Sequence, residues 1–275
     1  MAEPGPAPVA LFISPHLDDV AFSCAGTLNS LRRRGWRVAV ATVFTRSVLG
    51  PTGFALACQL DKGLPPEVDY LAIRREEDAA FGRALGVDPL IWLDLPEAPH
   101  RGYASAPALF AGARADDGVA ALVAEALDAV VARVRPDRIF APQGVGNHAD
   151  HLQVIRAVRS RPAWPAPVAW YRDLPYAAKF PGATAAADLP AGLEEVALPL
   201  SPEDLAAKVA ASSCYATQAP FQFGPGGDGA IARLLGDFAR REGERLGRPG
   251  PSEAFLVAPA ASGGPGLAAW PPGDQ

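Results

Sequence analysis

The sequence predicts an α/β fold in which a mostly parallel sheet is covered by helices on both faces. Three observations predict it. Short, uninterrupted apolar runs recur along the chain, as expected of strands buried on both faces. Longer segments with helical spacing of apolar residues separate these runs. The two kinds of segment alternate from residue 9 to residue 172, which is typical of successive βαβ units.

The first 44 residues predict one complete βαβ unit. The run VALFIS at residues 9–14 predicts a buried strand. Residues 18–33 have helical spacing, and their acidic start suits the positive end of a helix dipole. Gly35 is a natural helix stop, and VAVATVF at residues 38–44 predicts the second strand.

The same alternation continues through the middle of the chain. Further strands are predicted at residues 90–95, 138–143 and 168–172, with helices at 69–85, 119–134 and 149–160. Beyond them we expect helices at about 201–215 and 229–245, long irregular loops at 46–68 and 96–115, and a Gly/Pro-rich, partly irregular tail at about 247–275. We therefore expect residues 1–275 to form a single domain with a core at about 8–220.

Composition excludes several classes of protein. The net charge of −5 is unlike that of a nucleic-acid-binding protein, which normally has a basic face. No apolar run is long enough for a membrane span, and the N-terminus lacks a secretory signal, so a cytoplasmic location is expected. Three widely spaced cysteines indicate neither a disulfide framework nor a thiolate metal site.

The first motif that carries chemistry lies where the first strand meets the first helix. His16 and Asp19 are three residues apart, so they face the same way on an opening helical turn. A neutral imidazole and a carboxylate suit a zinc ion, which needs a third protein ligand at a catalytic site. Asp18 is then free to act as a base. The alternative is that one acid caps the helix and His16 is a loop histidine.

The second motif follows the strand at residues 138–143. His148 and His151 are again three residues apart at a strand-to-helix corner, and they can supply the missing ligand. Asp150, between them, either orients His148 as a buried acid orients a catalytic histidine, or caps the helix. Three of the four histidines in the chain thus lie in two motifs at one expected edge of the sheet.

A competing interpretation concerns the glycines of this second motif. Gly144, Gly146 and Ala149 match the G-x-G-x-x-G/A pattern of dinucleotide-binding proteins. Asp173 follows at the end of the next strand, where an acid would meet a ribose hydroxyl. This alternative leaves His16, Asp18 and Asp19 without a role.

The two motifs together resemble the signatures of the PIG-L/LmbE-like zinc-dependent N-deacetylases, (A/S/P)-H-x-D-D and H-x-x-H. They are Pro15-His16-Leu17-Asp18-Asp19 and His148-Ala149-Asp150-His151. The resemblance implies a Rossmann-like fold, one zinc ion and hydrolysis of an N-acetyl group from an N-acetylglucosaminyl-type small molecule. It implies His16, Asp19 and His151 as ligands, Asp18 as general base, and His148 assisting the tetrahedral intermediate and the leaving amine.

Weaker similarities extend the resemblance over about residues 8–220. They comprise Arg74 with Glu76 or Glu77, Asp94, Tyr171–Tyr176, and Lys208 with Tyr215–Gln218. Arg74, Asp94 and Tyr103 lie on or near the expected active edge, and we predict that they contact the substrate. An amidase of the same fold, acting on a thiol conjugate or a natural-product precursor, is the remaining alternative.

Overall fold

The computed structural model describes residues 5–161, 164–180 and 182–259. Its strands form one seven-stranded sheet in the order β3-β2-β1-β4-β5-β7-β6. The first five are mutually parallel, whereas β7 runs antiparallel to both β5 and β6. The strands are β1 (Val9–Ser14), β2 (Arg37–Phe44), β3 (Leu90–Leu95), β4 (Arg138–Pro142), β5 (Val168–Tyr171), β6 (Glu194–Pro199) and β7 (Ser252–Val257).

Helices cover both faces of this sheet, as predicted. They are α1 (Asp19–Arg33), α2 (Gly53–Leu60), α3 (Tyr70–Leu85), α4 (Ala106–Phe110), α5 (Val119–Val134), α6 (Ala149–Arg159), α7 (Tyr176–Lys179), α8 (Pro202–Ser213), α9 (Ala219–Phe223) and α10 (Gly227–Arg245).

Two apolar layers form because successive side chains of a strand point to opposite faces. In β1, Ala10 and Phe12 belong to the core that includes α1, whereas Leu11 and Ile13 belong to the core beneath α5 and α6. All four side chains are fully buried. The continuous apolar run at the start of the chain is thus explained by a central strand covered on both sides.

The predicted loops and tail contain more regular structure than expected. Residues 46–68 include α2, and residues 96–115 include a 3₁₀ turn at Ala98–Arg101 and α4. The expected tail contains β7, whose Phe255 is fully buried, so the core extends beyond residue 220. β6 was not predicted, and it pairs only with β7. These strands depend on pairing with distant residues, which local patterns do not encode. Residues 260–275 of the expected tail lie outside the described residues.

Candidate metal centre and active site

The two sequence motifs lie side by side at the centre of the sheet. One follows β1 and the other follows β4, and these strands are adjacent and parallel. The connections from β1 lead towards β2 and β3, whereas β4 leads to the other side of the sheet. Parallel α/β sheets bind ligands at such a switch point, beyond the carboxyl ends of the strands. The topology therefore places both motifs where a ligand site is expected.

The first motif is held in a tight turn by hydrogen bonds. The Ser14 hydroxyl donates to the carbonyl oxygen of His16 at 2.6 Å, and it accepts from the backbone N–H of Val20 at 3.2 Å. The backbone N–H of His16 donates to Asp19 Oδ2 at 2.8 Å. These contacts hold the His16 backbone and the Asp19 carboxylate in a fixed relative position.

The second motif depends on a glycine with left-handed backbone geometry. Gly144 has φ +72°, and a Cβ atom there would lie 2.7 Å from Cδ1 of Ile155 and 2.9 Å from Cβ of Ala186. A side chain at this position would therefore be both strained and obstructed. The loop leads into α6, where His148 Nδ1 caps the helix by accepting the backbone N–H of Asp150 at 3.2 Å.

The side chains of His16, Asp19 and His151 converge on one point, and the His148 ring lies next to them. Asp19 Oδ2 lies 3.2 Å from His16 Nδ1 and 3.3 Å from His151 Nε2. The ring centroids of His16 and His151 are 5.3 Å apart, and His148 lies 4.8 Å from His16 and 5.2 Å from His151. One ring nitrogen from each of the three histidines lies within 4.8 Å of the other two. The two distant corners of the sequence can thus reach a common ion.

Each histidine next to Asp19 is oriented by a second carboxylate. His16 Nε2 lies 2.9 Å from Asp150 Oδ2, and His151 Nδ1 lies 2.6 Å from Asp173 Oδ1. A carboxylate that accepts one ring N–H fixes the tautomer and leaves the other nitrogen with a free lone pair, as in many metal sites. Here the free nitrogens are the two that face Asp19.

The chemistry of these donors fits a divalent cation. His151 Nε2 is buried and has no hydrogen-bond partner among the described residues, although Asp19 is close. A buried polar atom without a partner is costly. Burial disfavours the charged imidazole, but the Asp19 and Asp173 carboxylates raise the pKa of His151 to about 9. These carboxylates provide negative charge that a bound cation would neutralise.

Asp18 forms an ion pair with Arg74 and none with His16 or His151 among the described residues. Its Oδ1 lies 3.5 Å from Nη2 of Arg74, whose Nη1 contacts Glu97 Oε1 at 2.7 Å. Burial raises the pKa of Asp18 to about 6, against the opposing effect of the Arg74 charge. Arg74 is itself buried and lines the pocket above Asp18. Asp18 and Arg74 therefore form a buried, charged pair in the lining of the cavity.

The expected role of Asp150 needs correction. Its carboxylate contacts His16, the backbone N–H of Ala98 at 3.0 Å and Arg101 Nη1 at 2.8 Å, and it does not orient the His148 ring. Among the described residues, the His148 ring accepts a hydrogen bond at Nδ1 from the Asp150 backbone N–H. Burial and the neighbouring His16 hold the pKa of His148 well below its usual range. Because Nδ1 accepts a hydrogen bond, the neutral form of His148 carries its proton on Nε2.

Two predicted substrate contacts lie outside the pocket. Tyr103 is fully buried, and its hydroxyl donates to Asp117 at 3.0 Å and accepts the backbone N–H of Arg114 at 2.9 Å. The Asp94 side chain is 71 % exposed and faces Arg46. Asp94 has φ 51° at an irregular step in the β2–β3 pairing, which turns it outward. The acid that reaches the pocket from this strand is Glu97, two residues beyond its end.

The position of Asp173 argues against the dinucleotide-binding interpretation. It is fully buried, and its two carboxylate oxygens contact His151 Nδ1 at 2.6 Å and the backbone N–H of Val145 at 3.0 Å. A ribose hydroxyl cannot reach it. The N-terminus of α6 is also capped by His148, where a dinucleotide-binding protein would hold a pyrophosphate.

A cavity of about 360 Å³ opens above the convergence point. Its floor is polar and its outer part is largely apolar, contributed by loops and short helices that the sequence did not predict. Its lining includes His16, Asp18, Asp19, Arg74, Glu97, His148, Asp150, Phe54, Lys62, Phe110, Tyr176, Lys179, Phe180, Gln218 and Phe221. An apolar cavity with a few convergent polar groups is typical of a small-molecule site.

The fold and the site define an α/β protein with a candidate metal centre at the switch point of its sheet. The family model PIG-L, described as GlcNAc-PI de-N-acetylase, matches residues 11–161, and the chain belongs to this family of deacetylases. That match covers both motifs, β1 to β4 and α6. The resemblance predicted from the two motifs is confirmed.

Two similar proteins are named as deacetylases. A 2'-N-acetylparomamine deacetylase from Streptomyces fradiae is 38 % identical over 168 residues, which is 61 % of this chain and 57 % of that protein. The chain thus spans little more than half the length of this relative. The crystal structure of the deacetylase Dbv21, which acts on the pseudoaglycone of the antimicrobial reagent A40926, has 27 % identity and a TM-score of 0.74 over 90 % of this chain and 96 % of that one.

A second structure agrees in fold alone. The zinc-inhibited form of the teicoplanin deacetylase Orf2 has 23 % identity and a TM-score of 0.75 over 93 % of this chain and its own full length. The predicted α/β fold is confirmed by these neighbours. No helix in the described part of the chain combines the length and apolar character that crossing a bilayer requires.

Proposed function

We propose that this protein is a zinc-dependent N-deacetylase that hydrolyses the N-acetyl group of an amino sugar within a small natural-product precursor. The observation that carries the proposal is the convergence of His16, Asp19 and His151 on one point beneath the cavity. Two imidazoles and a carboxylate suit zinc at a catalytic site, where a fourth position stays open. Relatives named as deacetylases of 2'-N-acetylparomamine and of the pseudoaglycone of the antimicrobial reagent A40926 support this class of substrate.

The reaction needs a strong nucleophile and a polarised carbonyl. A bound zinc ion lowers the pKa of water towards 7 and polarises the amide carbonyl. Asp18, held beside Arg74 at 3.5 Å, accepts the proton that the attacking water loses. Arg74 and Glu97, joined at 2.7 Å, fix the position of Asp18 at the cavity floor.

His148 stabilises the negative charge that develops on the carbonyl oxygen. Because its Nδ1 accepts the Asp150 backbone N–H, its Nε2–H is available to donate a hydrogen bond. A neutral histidine that gave up this proton would become an imidazolate, so we assign the proton of the leaving amine to Asp18, which received one from water. The C–N bond breaks, and the products are a free amine and acetate.

The test is release of a free amine and acetate in equal amounts. The purified protein is stripped with a chelator, reloaded with one equivalent of zinc, and supplied with a panel of N-acetylated amino sugars. We expect both products from the reloaded protein, none after stripping, and none from His151→Ala at equal zinc. The control is His100→Ala, which should behave as the wild type because His100 lies outside the cluster of His16, His148 and His151.

Two results would contradict the proposal. One is the absence of amine release from every compound by protein that carries zinc. The other is undiminished release by His151→Ala, because removal of a ligand to a catalytic ion must lower its occupancy.

A further inference from the structure

The mouth of the cavity differs in chemistry from its floor. Three of its phenylalanines remain exposed, with relative exposures of 36 % for Phe110, 52 % for Phe180 and 54 % for Phe221. They come from α4, the residue after α7, and α9. Large apolar side chains grouped around a concave opening indicate contact with an apolar part of a ligand. Aromatic rings also provide flat faces for stacking.

Two lysines accompany these rings. The sequence contains only three lysines, Lys62, Lys179 and Lys208. Lys62 Nζ lies 4.6 Å from the ring centroid of Phe221, and Lys179 Nζ lies 5.9 Å from the same centroid. We call Lys62, Lys179 and Phe221 the mouth cluster. Its members come from three separate segments, so the fold brings two of the three lysines to one place.

Neither lysine of the mouth cluster has an anionic partner. Lys62 Nζ donates to the carbonyl oxygen of Cys58 at 3.0 Å, and Lys179 Nζ donates to Gln222 Oε1 at 2.8 Å. Among residues that the structure describes, neither forms an ion pair, whereas Lys208 contacts Glu253 at 2.6 Å. An ammonium group has three donors, so each mouth lysine keeps donors for a ligand.

No carboxylate among the described residues forms an ion pair with either lysine. Burial lowers the pKa of both Lys62 and Lys179, and the charge of Arg74 further lowers that of Lys62. The charges of Glu97 and Asp18 raise the pKa of Lys62 from a distance. The carboxylates at the cavity floor are already engaged by Arg74, Arg101 and the histidines. Asp61 also lines the cavity but forms no ion pair with either lysine. An anion at the mouth would therefore gain a charge-assisted contact with Lys62 or Lys179.

We infer that the substrate carries an anionic group, a carboxylate or a phosphate, on an apolar or aromatic portion remote from the scissile amide, and that the mouth cluster binds this portion. Phe221 stacks on the apolar part, and Lys62 and Lys179 hold the anion. This inference rests on the proposed deacetylation, because it assumes that the amide lies at the cavity floor. It narrows the substrate class from N-acetylated sugars in general to acidic N-acetylglycosides.

The test compares aryl N-acetylglucosaminides that differ only in one para substituent. The substituents are carboxylate, phosphate, neutral carboxamide and cationic aminomethyl. Dissociation constants are measured by calorimetry on zinc-loaded protein, and kcat/KM is measured by amine release. We expect at least one anionic compound to bind about tenfold more tightly than the carboxamide, and the cationic compound to bind most weakly. The tenfold preference corresponds to about 1.4 kcal/mol.

Matched variants test whether the preference for anionic compounds depends on Lys62 and Lys179. The double variant Lys62→Met/Lys179→Met should lose the anionic preference, since methionine keeps the side-chain length without the charge. Arg133→Met, which removes one exposed positive charge on α5, should retain the preference. A preference confined to the carboxylate or to the phosphate identifies which anion the mouth cluster holds.

The outcomes separate this inference from the proposed function. Equal affinities in the wild type, a cationic preference, or an anionic preference that survives in the double variant would overturn the mouth assignment while amine release continues. If no compound releases an amine, the proposed function fails, and the calorimetric comparison still decides whether the mouth cluster binds anions.

Discussion

The buried aspartates of the site differ in chemistry because their neighbours differ. Asp19 lies beside two imidazoles, and despite burial their charge holds its pKa below the usual range. Asp18, the preceding residue, lies 3.5 Å from Arg74, and burial raises the pKa of Asp18 to about 6. Asp150 and Asp173 each engage one histidine. A single residue type thus provides the proposed ligand, the proposed base and two carboxylates that contact histidines.

Asp18→Asn separates the base from the metal centre. The amide keeps the shape of the side chain but cannot accept the proton of water, so we expect kcat to fall by about 10²–10⁴-fold. Zinc content should stay at one equivalent, because Asp18 is not one of the three proposed ligands and pairs with Arg74 instead. The measurements are steady-state amine release and elemental analysis of the same sample.

Asp94→Asn is the matched comparison. The sequence favoured Asp94 as a substrate contact, but the structure exposes its side chain outside the cavity. We expect the kcat/KM of Asp94→Asn to stay within about twofold of the wild-type value, as for most exposed substitutions. If Asp18→Asn instead shows the same turnover as the wild type and Asp94→Asn, Asp18 is not the base.

At the scale of the element, α1 is a broken helix. Its backbone leaves helical geometry at Cys24, with φ −143° and ψ 21°. Glu253 on β7 accepts the freed N–H groups of Gly26 at 3.2 Å and Thr27 at 2.7 Å. Lys208 Nζ donates to the carbonyl oxygen of Ser23 at 2.8 Å and to Glu253 at 2.6 Å. A buried ion pair therefore replaces the missing helical hydrogen bonds.

The absence of a side chain at Gly26 permits this arrangement. A Cβ atom there would lie 3.0 Å from Glu253 Oε1 and 2.8 Å from Cδ1 of Leu200. The break lies within two turns of Asp18 and Asp19, so Glu253 and Lys208 support the part of α1 that carries the first motif.

Glu253→Ala should destabilise the whole protein. It leaves the Lys208 charge buried without a partner, which costs about 3–5 kcal/mol of the free energy of unfolding. Urea denaturation measures this difference. The exposed Glu203→Ala serves as the control, and it should change stability by less than about 0.5 kcal/mol. An equally small effect of Glu253→Ala would show that the break in α1 does not depend on this ion pair.

At the scale of the whole molecule, strand order brings the site together. β1 and β4 are neighbours although more than a hundred residues separate them, so His16 and His151 meet only in the folded chain. Metal binding should therefore be coupled to folding, because an unfolded chain holds no preformed site.

This coupling predicts stabilisation by the metal. Zinc at about 100 times its dissociation constant should add about 2.7 kcal/mol to the stability of the folded state. Its addition should raise the Tm of stripped protein by several degrees, and a chelator should reverse the rise. His151→Ala should show no zinc-dependent shift in the same scanning calorimetry, whereas His100→Ala should respond as the wild type. A zinc-dependent rise of equal size in His151→Ala would place the ion elsewhere.

The sequence predicted the parallel half of the sheet and the floor of the site. Continuous apolar runs identify β1 to β5 because central parallel strands are buried on both faces. His16, Asp18, Asp19, His148 and His151 were found because paired metal-binding residue types at strand-to-helix corners are rare in a chain with four histidines. Both signals are local, and a single sequence displays them.

Other features were missed because they depend on contacts between distant residues. β6 and β7 pair with each other at the antiparallel end of the sheet, and a short apolar run between Gly and Pro residues does not predict that pairing. Glu97 and the mouth cluster lie on loops and short helices, where sequence spacing does not determine direction. The sequence predicted a substrate contact for Tyr103, but in the structure its hydroxyl donates a hydrogen bond to Asp117.

The sequence alone therefore determined the class of fold, the family and the residue types that can hold a cation, since local periodicity and motif spacing encode them. Only the tertiary structure decided which carboxylate contacts which histidine, as in the contact between Asp150 and His16. It also decided which residues surround the mouth of the cavity. The physical reason is that hydrogen bonding and charge compensation act over a few ångströms in space, between residues that chain order leaves far apart.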